Sequence, residues 1–358
     1  MAEAWDEGTR VAAHELLELV AAVFRRCGME DKDAHLLADT LVFADLSSIH
    51  SHGVLRVPEY AKKMTVDGVD PQGRPGIARE MGACLVVDGH NSMGQISCHF
   101  AMQEAIERAR VHGMGAVAIR GSNHCGALAY FAMQALAADM IGWVTTNALP
   151  TMAPWGGTER IVGINPLGVA IPAGAESPIV FDAAFSGSSH GKIRIHEQKN
   201  LPLPEGWALD GDGQPTTDPA KAIDGLLMPI GTFKGVSLAM LMGIFSSMLS
   251  GAAYGTELGN MDDGPKAGQD GHFVMVINVA AFEDVARFKE RVDAAIAQIH
   301  ACRRAPGVDR LYVSGERESL SRAAYGREGI PLNEVTLRDI RAVALELGID
   351  LGRYRWLT

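Results

Sequence analysis

Two short stretches of this 358-residue chain set reactive side chains beside glycine: Ser51-His52-Gly53-Val54-Leu55-Arg56 and Ser122-Asn123-His124-Cys125-Gly126. Each offers a hydroxyl and an imidazole, and the first adds a guanidinium. A planar guanidinium is a bidentate donor for a carboxylate. An imidazole, with an unperturbed pKa of about 6.5, can take a hydroxyl proton and give it back. That kit suits work on a small hydroxy or keto carboxylate, with the cation holding the carboxylate and the titratable group serving the hydroxyl. Taken alone, the residues leave each role open. A strand-end histidine is often a satisfied structural group, an exposed arginine is usually just solvated, and Ser51-His52 beside His50 also reads as a polar helix end.

The elements that would position these residues alternate in an α/β pattern. Apolar residues at i, i+3 and i+4 predict helices over Val11 to Phe24 and Asp31 to Leu46, the second delivering Ser51-His52 at or just past its end. Asp67-Gly68 and Asp70-Pro71 mark a loop. Strands are expected over Cys84 to Asp88, Ala116 to Arg120, Ile141 to Thr146, Val169 to Pro172, Ile179 to Asp182 and Phe273 to Asn278. Helices are expected over Met93 to His112, Tyr130 to Asp139, Phe282 to Arg303 and Leu332 to Leu347, with Thr336 and Asp339 as a capping signal for the last. His124 follows a strand directly, where α/β proteins place ligand sites. The chain divides into a cofactor-side region over 84–281 and a helical region joined from 1–83 and 282–358.

Composition narrows the class. A hydrophobic content of 47% and a charged content of 21% fit a globular protein with a sizeable core. The net charge of -11 argues against nucleic acid or an anionic membrane as partner. Five scattered cysteines without a CxxC pair fit free thiols in a reducing compartment, and the charged opening residues carry no apolar leader core, so a cytoplasmic protein is expected. Gly235 to Gly255 lacks charge and is long enough to span a bilayer, yet its four serines favour a helix buried within an α/β core.

With Pro154-Trp155-Gly156-Gly157, Asn165-Pro166 and Lys234-Gly235, the two stretches resemble the malate/L-lactate dehydrogenase type 2 family. That family also holds ureidoglycolate, sulfolactate and 2,3-diketogulonate enzymes and cyclic imino acid reductases. The resemblance runs from about Ala44 to Asp218, resumes at Pro229 to Gly251, and thins towards the C-terminus. It implies a non-Rossmann nicotinamide-binding α/β domain with a largely antiparallel or mixed sheet flanked by helices, a homodimer whose partner helps close the pocket, and NAD as cofactor, with NADP left open by Arg120 and Arg303-Arg304. No GxGxxG occurs, so the sequence by itself does not suggest a dinucleotide.

The resemblance also assigns roles. His124 matches the proton acceptor, Arg56 the substrate carboxylate ligand, and Ser51 with His52 a catalytic relay. Lys192 stands where the imino acid reductases have Asp; a lysine favours an anionic substrate over a cationic iminium, which points to a 2-hydroxy or 2-keto acid, with reduction of a cyclic imino acid or a 2,3-diketogulonate-type keto acid as the alternative. Cofactor contacts map onto His124, Cys125, Gly126, Ala127 and Leu128, onto Asp182, Ala183 and Ala184, and onto Lys234. Ala148 replaces a cofactor-contacting Ser, so a contact there would use backbone. Ile164 stands where the family has Thr. Val313-Ser314-Gly315-Glu316 resembles the family's Pro-Gly-Glu turn with Ser for Pro.

Other motifs are set aside. Gly187-Ser188-Ser189-His190-Gly191 matches a GxSxG elbow, but that motif needs a following helix and Lys192-Ile193-Arg194-Ile195 alternates like a strand. The same glycines miss P-loop spacing by one residue. No HxxxH or HExxH pair occurs, so no metal is expected. A ligand-binding homologue that has lost catalysis is the rival outside enzymology; His124, Arg56, Ser51 and His52 standing together argue against it.

Overall fold

The computed structural model describes residues 8–198, 200–260 and 264–357. A short strand, β1 (Thr9–Val11), leads into α1 (Ala13–Arg26) and α2 (Asp31–Leu46). α1 buries Leu16, Leu19, Val20, Val23 and Phe24, the stripe drawn by their spacing. Two single-turn 3-10 segments, His50–His52 and Val54–Arg56, then feed α3 (Val57–Thr65).

From Gly76 the chain lays down β2 (Gly76–Met81), β3 (Cys84–Asp88), α4 (Gly94–His112), β4 (Met114–Ser122), α5 (Leu128–Ala132) and β5 (Met140–Thr146). A small pair, β6 (Pro150–Met152) and β7 (Val162–Gly163), precedes β8 (Leu167–Ile171) and β9 (Ile179–Ala183). Next comes a lobe of α6 (His190–Gln198), β10 (Ala208–Leu209), β11 (Pro215–Thr216), α7 (Pro219–Asp224), β12 (Leu226–Leu227) and α8 (Phe233–Gly243). The short pair β13 (Gly259–Asn260) and β14 (Gly264–Pro265) leads to β15 (Asp270–Asn278). The chain closes with α9 (Val285–Ala301), α10 (Glu316–Glu328), β16 (Ile330–Leu332) and α11 (Glu334–Glu346).

Seven strands form the central sheet in the order β2-β3-β4-β15-β5-β8-β9. β3 and β4 run parallel, joined over α4, and each of the other neighbouring pairs is antiparallel. This is a mixed, mostly antiparallel sheet flanked by helices. β2 is absent from the sequence reading because five of its six residues are exposed, so it carries no alternation to detect.

A separate apolar core holds the helices. Leu16, Leu19, Phe24, Leu37, Leu41 and Tyr60 pack there with Ile330, Ile340 and Leu357 from the other end of the chain. β1 pairs antiparallel with β16, Thr9 opposite Leu332. α9 sits elsewhere, tied to the sheet's own loops: Lys289 reaches Asp139 at 2.9 Å, and Asp293 accepts the amides of Gly174 and Ala175 at 2.9 and 2.7 Å.

Three sequence expectations need correction. The segment from Lys192 to Ile195 lies in helix α6 and is not a strand: the Ile193 amide donates to Ser189 O at 3.1 Å, opening the first turn, and Ile193 alone among the four is fully buried. A helix therefore does follow Ser189, and the ground on which the GxSxG elbow was set aside fails. What distinguishes this turn from an elbow is the absence of a strand running into it, since β9 ends at Ala183. The Gly235 to Gly255 segment is not a buried helix either. α8 passes into a π-helical turn, Ile244–Met248, and presents Leu238, Leu241, Phe245, Met248 and Leu249 outward. Among the described residues no helix is long and apolar enough to cross a membrane. Finally, Asn333 caps α11 by accepting the Thr336 amide at 2.8 Å, so the cap lies three residues before Thr336.

Ile340 on α11 is fully buried among N-terminal side chains. Ile340→Ala should lower unfolding stability by about 2–5 kcal/mol in a denaturant titration. An unchanged midpoint would mean that α11 does not share that core.

Candidate active site

The site begins with a carboxylate near the end of α2. Asp45 is 1% exposed; its Oδ1 lies 2.7 Å from His50 Nδ1 and its Oδ2 accepts the Val54 amide at 2.7 Å. The chain bends tightly round this group. A β-carbon on Gly53 would come within 2.1 Å of the carboxylate, so the close approach requires glycine. His50 is thereby a structural partner, while Ser51 and His52 are turned away from Asp45. Ser51 Oγ pairs with His52 Nδ1 at 2.9 Å, and Arg56 Nε donates to the Ser51 carbonyl at 2.8 Å. Arg56 Nη1 donates to Glu59 Oε2 at 2.6 Å, leaving Nη2 for another anion.

β4 delivers the second stretch. Asn123 is buried and ties the strand end down: its Nδ2 donates to Ser92 O at 2.8 Å and its Oδ1 accepts the Gly268 amide at 3.0 Å. Beyond it, His124 lies over His52 with ring centroids 5.8 Å apart and planes 20° from parallel. His124 Nδ1 is 2.6 Å from the Tyr60 hydroxyl, which in turn accepts from Gln95 Nε2 at 3.3 Å. Tyr60 thus donates its own proton to Nδ1, so the neutral ring carries its hydrogen on Nε2. Gln95 Oε1 is buried without a partner. Turning that amide would hand Oε1 to the phenol and permit the opposite tautomer.

Burial and surrounding cations keep both imidazoles neutral. Burial first, then Arg56, hold His52 down to about 4. Burial, then Arg56, His52, Lys63 and His272, hold His124 well below the usual histidine range. Burial pushes the Tyr60 phenol far up, so it stays a donor. A neutral imidazole beside an arginine can accept a hydroxyl proton while the arginine holds a carboxylate.

Behind His124, the ligating atoms of Cys98, Cys125 and His272 converge within 4.8 Å of one another, all three residues buried. Motif spacing gave no hint of this group. Both ring nitrogens of His272 are already bonded, Nδ1 to Thr146 Oγ1 at 2.8 Å and Nε2 to Ser122 Oγ at 2.9 Å, so hydroxyl partners satisfy the ring.

The His124 to Leu128 loop runs into α5 and is pinned by Asp182 at the end of β9, whose Oδ2 accepts the Ala129 amide at 2.8 Å. Burial raises the Asp182 carboxyl to about 7. Beside it opens a cavity of about 280 Å³ walled by Phe43, Ile49, Val180, Asp182 and Ser314. Ser314 belongs to the Val313 to Glu316 turn, which docks on β9 through the Val180 amide at 2.9 Å. This slot joins apolar walls to the carboxylates of Asp182 and Glu318 and the guanidinium groups of Arg317 and Arg322, a chemistry that fits a ring, a sugar hydroxyl and a phosphate of a nucleotide.

The remaining sequence candidates lie apart from the histidine pair. Lys192 on α6 and Lys234 at the start of α8 are exposed, and among the described residues no hydrogen bond or ion pair joins either to Ser51, His52, Arg56 or His124. The Ala148 amide already donates to Asn165 Oδ1 at 2.9 Å, and its carbonyl lies against Gly163. Sequence reasoning missed Asp45, Tyr60, Lys63 and Gln95. For two of them a signal existed: Arg56, Glu59, Tyr60 and Lys63 follow i, i+3, i+4, i+7 and so share one helix face.

The model of the malate/L-lactate dehydrogenase family matches residues 11–341. The chain belongs to that family. It is 34% identical to a malate dehydrogenase of Pyrococcus abyssi over 348 residues, covering 95% of each protein. The sulfolactate dehydrogenase structure from Methanocaldococcus jannaschii superposes with a TM-score of 0.89 at 32% identity, covering 96% of this chain and 99% of that one. A malate dehydrogenase structure from Entamoeba histolytica gives 0.92 at 29% identity, covering 97% and 100%. Within this dehydrogenase family the His52, Tyr60 and His124 cluster is the natural place to look for proton transfer.

Tyr60→Phe keeps the ring packing and removes the hydroxyl from His124. It should lower kcat/KM by about 10- to 100-fold, the scale of one hydrogen bond to a group that becomes charged. Steady-state kinetics beside an unfolding curve checks this, and full activity in a stable variant would remove Tyr60 from the proton path.

Proposed function

We propose that this oxidoreductase transfers hydride between a nicotinamide cofactor and C2 of a small 2-hydroxy acid of the malate or lactate kind. The observation that carries the reading is the pairing of a neutral His124, hydrogen-bonded to Tyr60, with an Arg56 that has donors to spare. Arg56 clamps the carboxylate, and His124 takes the hydroxyl proton at Nε2 in the tautomer whose Nδ1–H donates to Tyr60, reached when the Gln95 amide turns its Oε1 to the phenol, while Ser51 with His52 orients the reacting oxygen. Tyr60 and Gln95 fix which nitrogen of His124 faces the substrate. In the reverse direction His124 returns the proton to the forming alkoxide. The nicotinamide ring, when bound, supplies the hydride acceptor; the protein supplies position and electrostatics.

For the cofactor, the residues that would hold it are the loop of His124, Cys125, Gly126, Ala127 and Leu128, together with Asp182, Ala183 and Ala184 beside the cavity. Lys234, which would pair with the cofactor, and Lys192, which would add positive charge to the substrate pocket or hold the relay geometry, are both exposed, and a contact at Ala148 would use a backbone already engaged with Asn165. NAD heads the reading and NADP stays the alternative: Arg120 is already paired with Asp88 at 3.1 Å, whereas the Arg303-Arg304 pair and the cavity-lining Arg317 and Arg322 offer cations for a 2′-phosphate. The outward apolar face of α8 supports a homodimer, and five free cysteines support a cytoplasmic setting.

The test is oxidation of NADH and NADPH, followed by absorbance, with pyruvate, oxaloacetate and 2-ketoglutarate. Turnover of a 2-keto acid that falls at least about 100-fold in His124→Ala supports the reading; unchanged turnover in that variant sinks it. The pH dependence follows from the lowered His124 pKa. Oxidation needs the neutral imidazole, and a depressed pKa keeps that form populated as pH falls. The acid limb of kcat/KM for the hydroxy acid should therefore lie below about 6.5, the unperturbed value.

A further inference from the structure

We propose that Glu59 is a resident carboxylate that competes with the substrate for Arg56 and so limits how tightly the site holds its anionic substrate and product; this rests on the hydroxy acid reading above, which places the substrate carboxylate on Arg56. Arg56 belongs to the site by a chain of contacts. Its Nε donates to the Ser51 carbonyl at 2.8 Å, Ser51 Oγ meets His52 Nδ1 at 2.9 Å, and His52 lies against His124. Its Nη1 donates to Glu59 Oε2 at 2.6 Å. A guanidinium offers a carboxylate two parallel N–H bonds along either of two edges: Nε with a terminal nitrogen, or the two terminal nitrogens together. The Ser51 carbonyl stands on the first edge and Glu59 on one end of the second. Among the described residues no acceptor is placed on Nη2. A substrate carboxylate therefore gains one bond unopposed, and the second is shared with Glu59 or taken from it.

Glu59 is placed for that exchange. It lies in the first turn of α3, where the helix N-terminus favours a negative side chain. Its side chain is 40% exposed, so water reaches the carboxylate when it leaves Arg56. Its other oxygen already lies 3.9 Å from the Lys63 ammonium, one turn further along the helix, so a small rotation carries it from one cation towards the next. Where Glu59 stays in place instead, one guanidinium holds two carboxylates side by side, and like charges at such separations repel. Both routes lead to the same outcome: part of the attraction between Arg56 and an incoming carboxylate is cancelled by Glu59. Substrate and product each carry that carboxylate, so the limit applies to both.

Glu59→Gln keeps a side-chain oxygen for Nη1 and removes the charge. At saturating NADH and low salt, the KM for whichever of pyruvate or oxaloacetate the wild type reduces should fall about two- to fivefold, the scale of one partly exposed charge contact. The Ki of oxamate, a carboxylate analogue that is not reduced, should fall with it. The difference between the two proteins should shrink as salt rises to about 0.5 M, because an exposed pair is screened. A strut that merely aims Arg56 would show no such dependence. An unchanged or raised KM and Ki, or a gain that ignores salt, would overturn the proposal. Arg56→Gln separates the failures. If it weakens the keto acid while Glu59→Gln does not strengthen it, the competition alone is overturned. If it leaves the keto acid constants as they were, or if the wild type reduces no 2-keto acid, the hydroxy acid reading is overturned and the proposal with it.

Discussion

The buried Asp45 carboxylate is the constraint on which the rest of the site depends. One oxygen pairs with His50 and the other accepts the Val54 amide, so a single side chain fixes both ends of the turn that contains Ser51, His52 and Gly53. Burial raises its pKa, and the His50 contact and the Val54 amide oppose that shift. An uncompensated carboxylate at this depth would be strongly unfavourable, so the turn and the acid stabilise each other. Ser51 and His52 bond to each other instead, Ser51 Oγ to His52 Nδ1 at 2.9 Å. Arg56 then inherits its direction from the Ser51 carbonyl it donates to. Three side chains proposed to act on the substrate are thus carried on a turn held by one group that takes no part in that chemistry.

The same economy governs charge. His52 and His124 lie face to face, and two protonated rings at that separation would repel. Arg56 and Lys63 add positive potential, and burial removes the water that would solvate an imidazolium. The outcome is a pair of neutral rings beside a fixed cation. Glu59 keeps the arrangement from being prohibitively cationic without quenching it, since it touches Arg56 closely and Lys63 only at a distance. A base must be neutral before it can act, and here neutrality follows from the same cations that would attract an anionic substrate.

How much of this was legible in the sequence depends on the range of the interaction. Ser51, His52, Arg56 and His124 could be picked out by residue type beside glycine, and the helices α1 and α2 by an apolar stripe. The face it shares with Arg56 could have singled out Tyr60, but not its contact with His124, a residue 64 positions away. Gln95 is hidden for the same reason, its partner Tyr60 lying 35 positions away; Asp45 has its partners within nine residues, yet looks like an ordinary polar residue of a helix until the turn that follows is known. The α6 error has a local cause. Lys192, Ile193, Arg194 and Ile195 alternate in polarity, but four residues cannot separate a two-residue period from one buried side chain on a helix. The α8 error is of another kind, since apolar composition was taken as burial, whereas one face of that helix lies open on the chain by itself.

What no motif encodes is the distance between the carboxylate clamp and the acid/base group, because they stand on different cores. Arg56 rides on α3, anchored through Val57 and Tyr60 in the helical core, and His124 hangs from β4, anchored in the sheet. The docking of α2 on α4 and α5 is one of the contacts that hold the two cores together. Tyr130 donates to Asp39 Oδ2 at 2.6 Å, and the Phe43 ring meets the Tyr130 ring edge-on at 5.3 Å. Tyr130 therefore supplies both the polar and the apolar part of that contact. The Tyr60 to His124 bond is short enough to register any slip between the cores, since a shift of well under 1 Å already weakens such a contact. A family member could retain every motif residue and still lose alignment of its site through a change at Phe43, Asp39 or Tyr130. Preservation of the motif is thus necessary for the proposed chemistry, and the interface between the two cores supplies the rest of the condition.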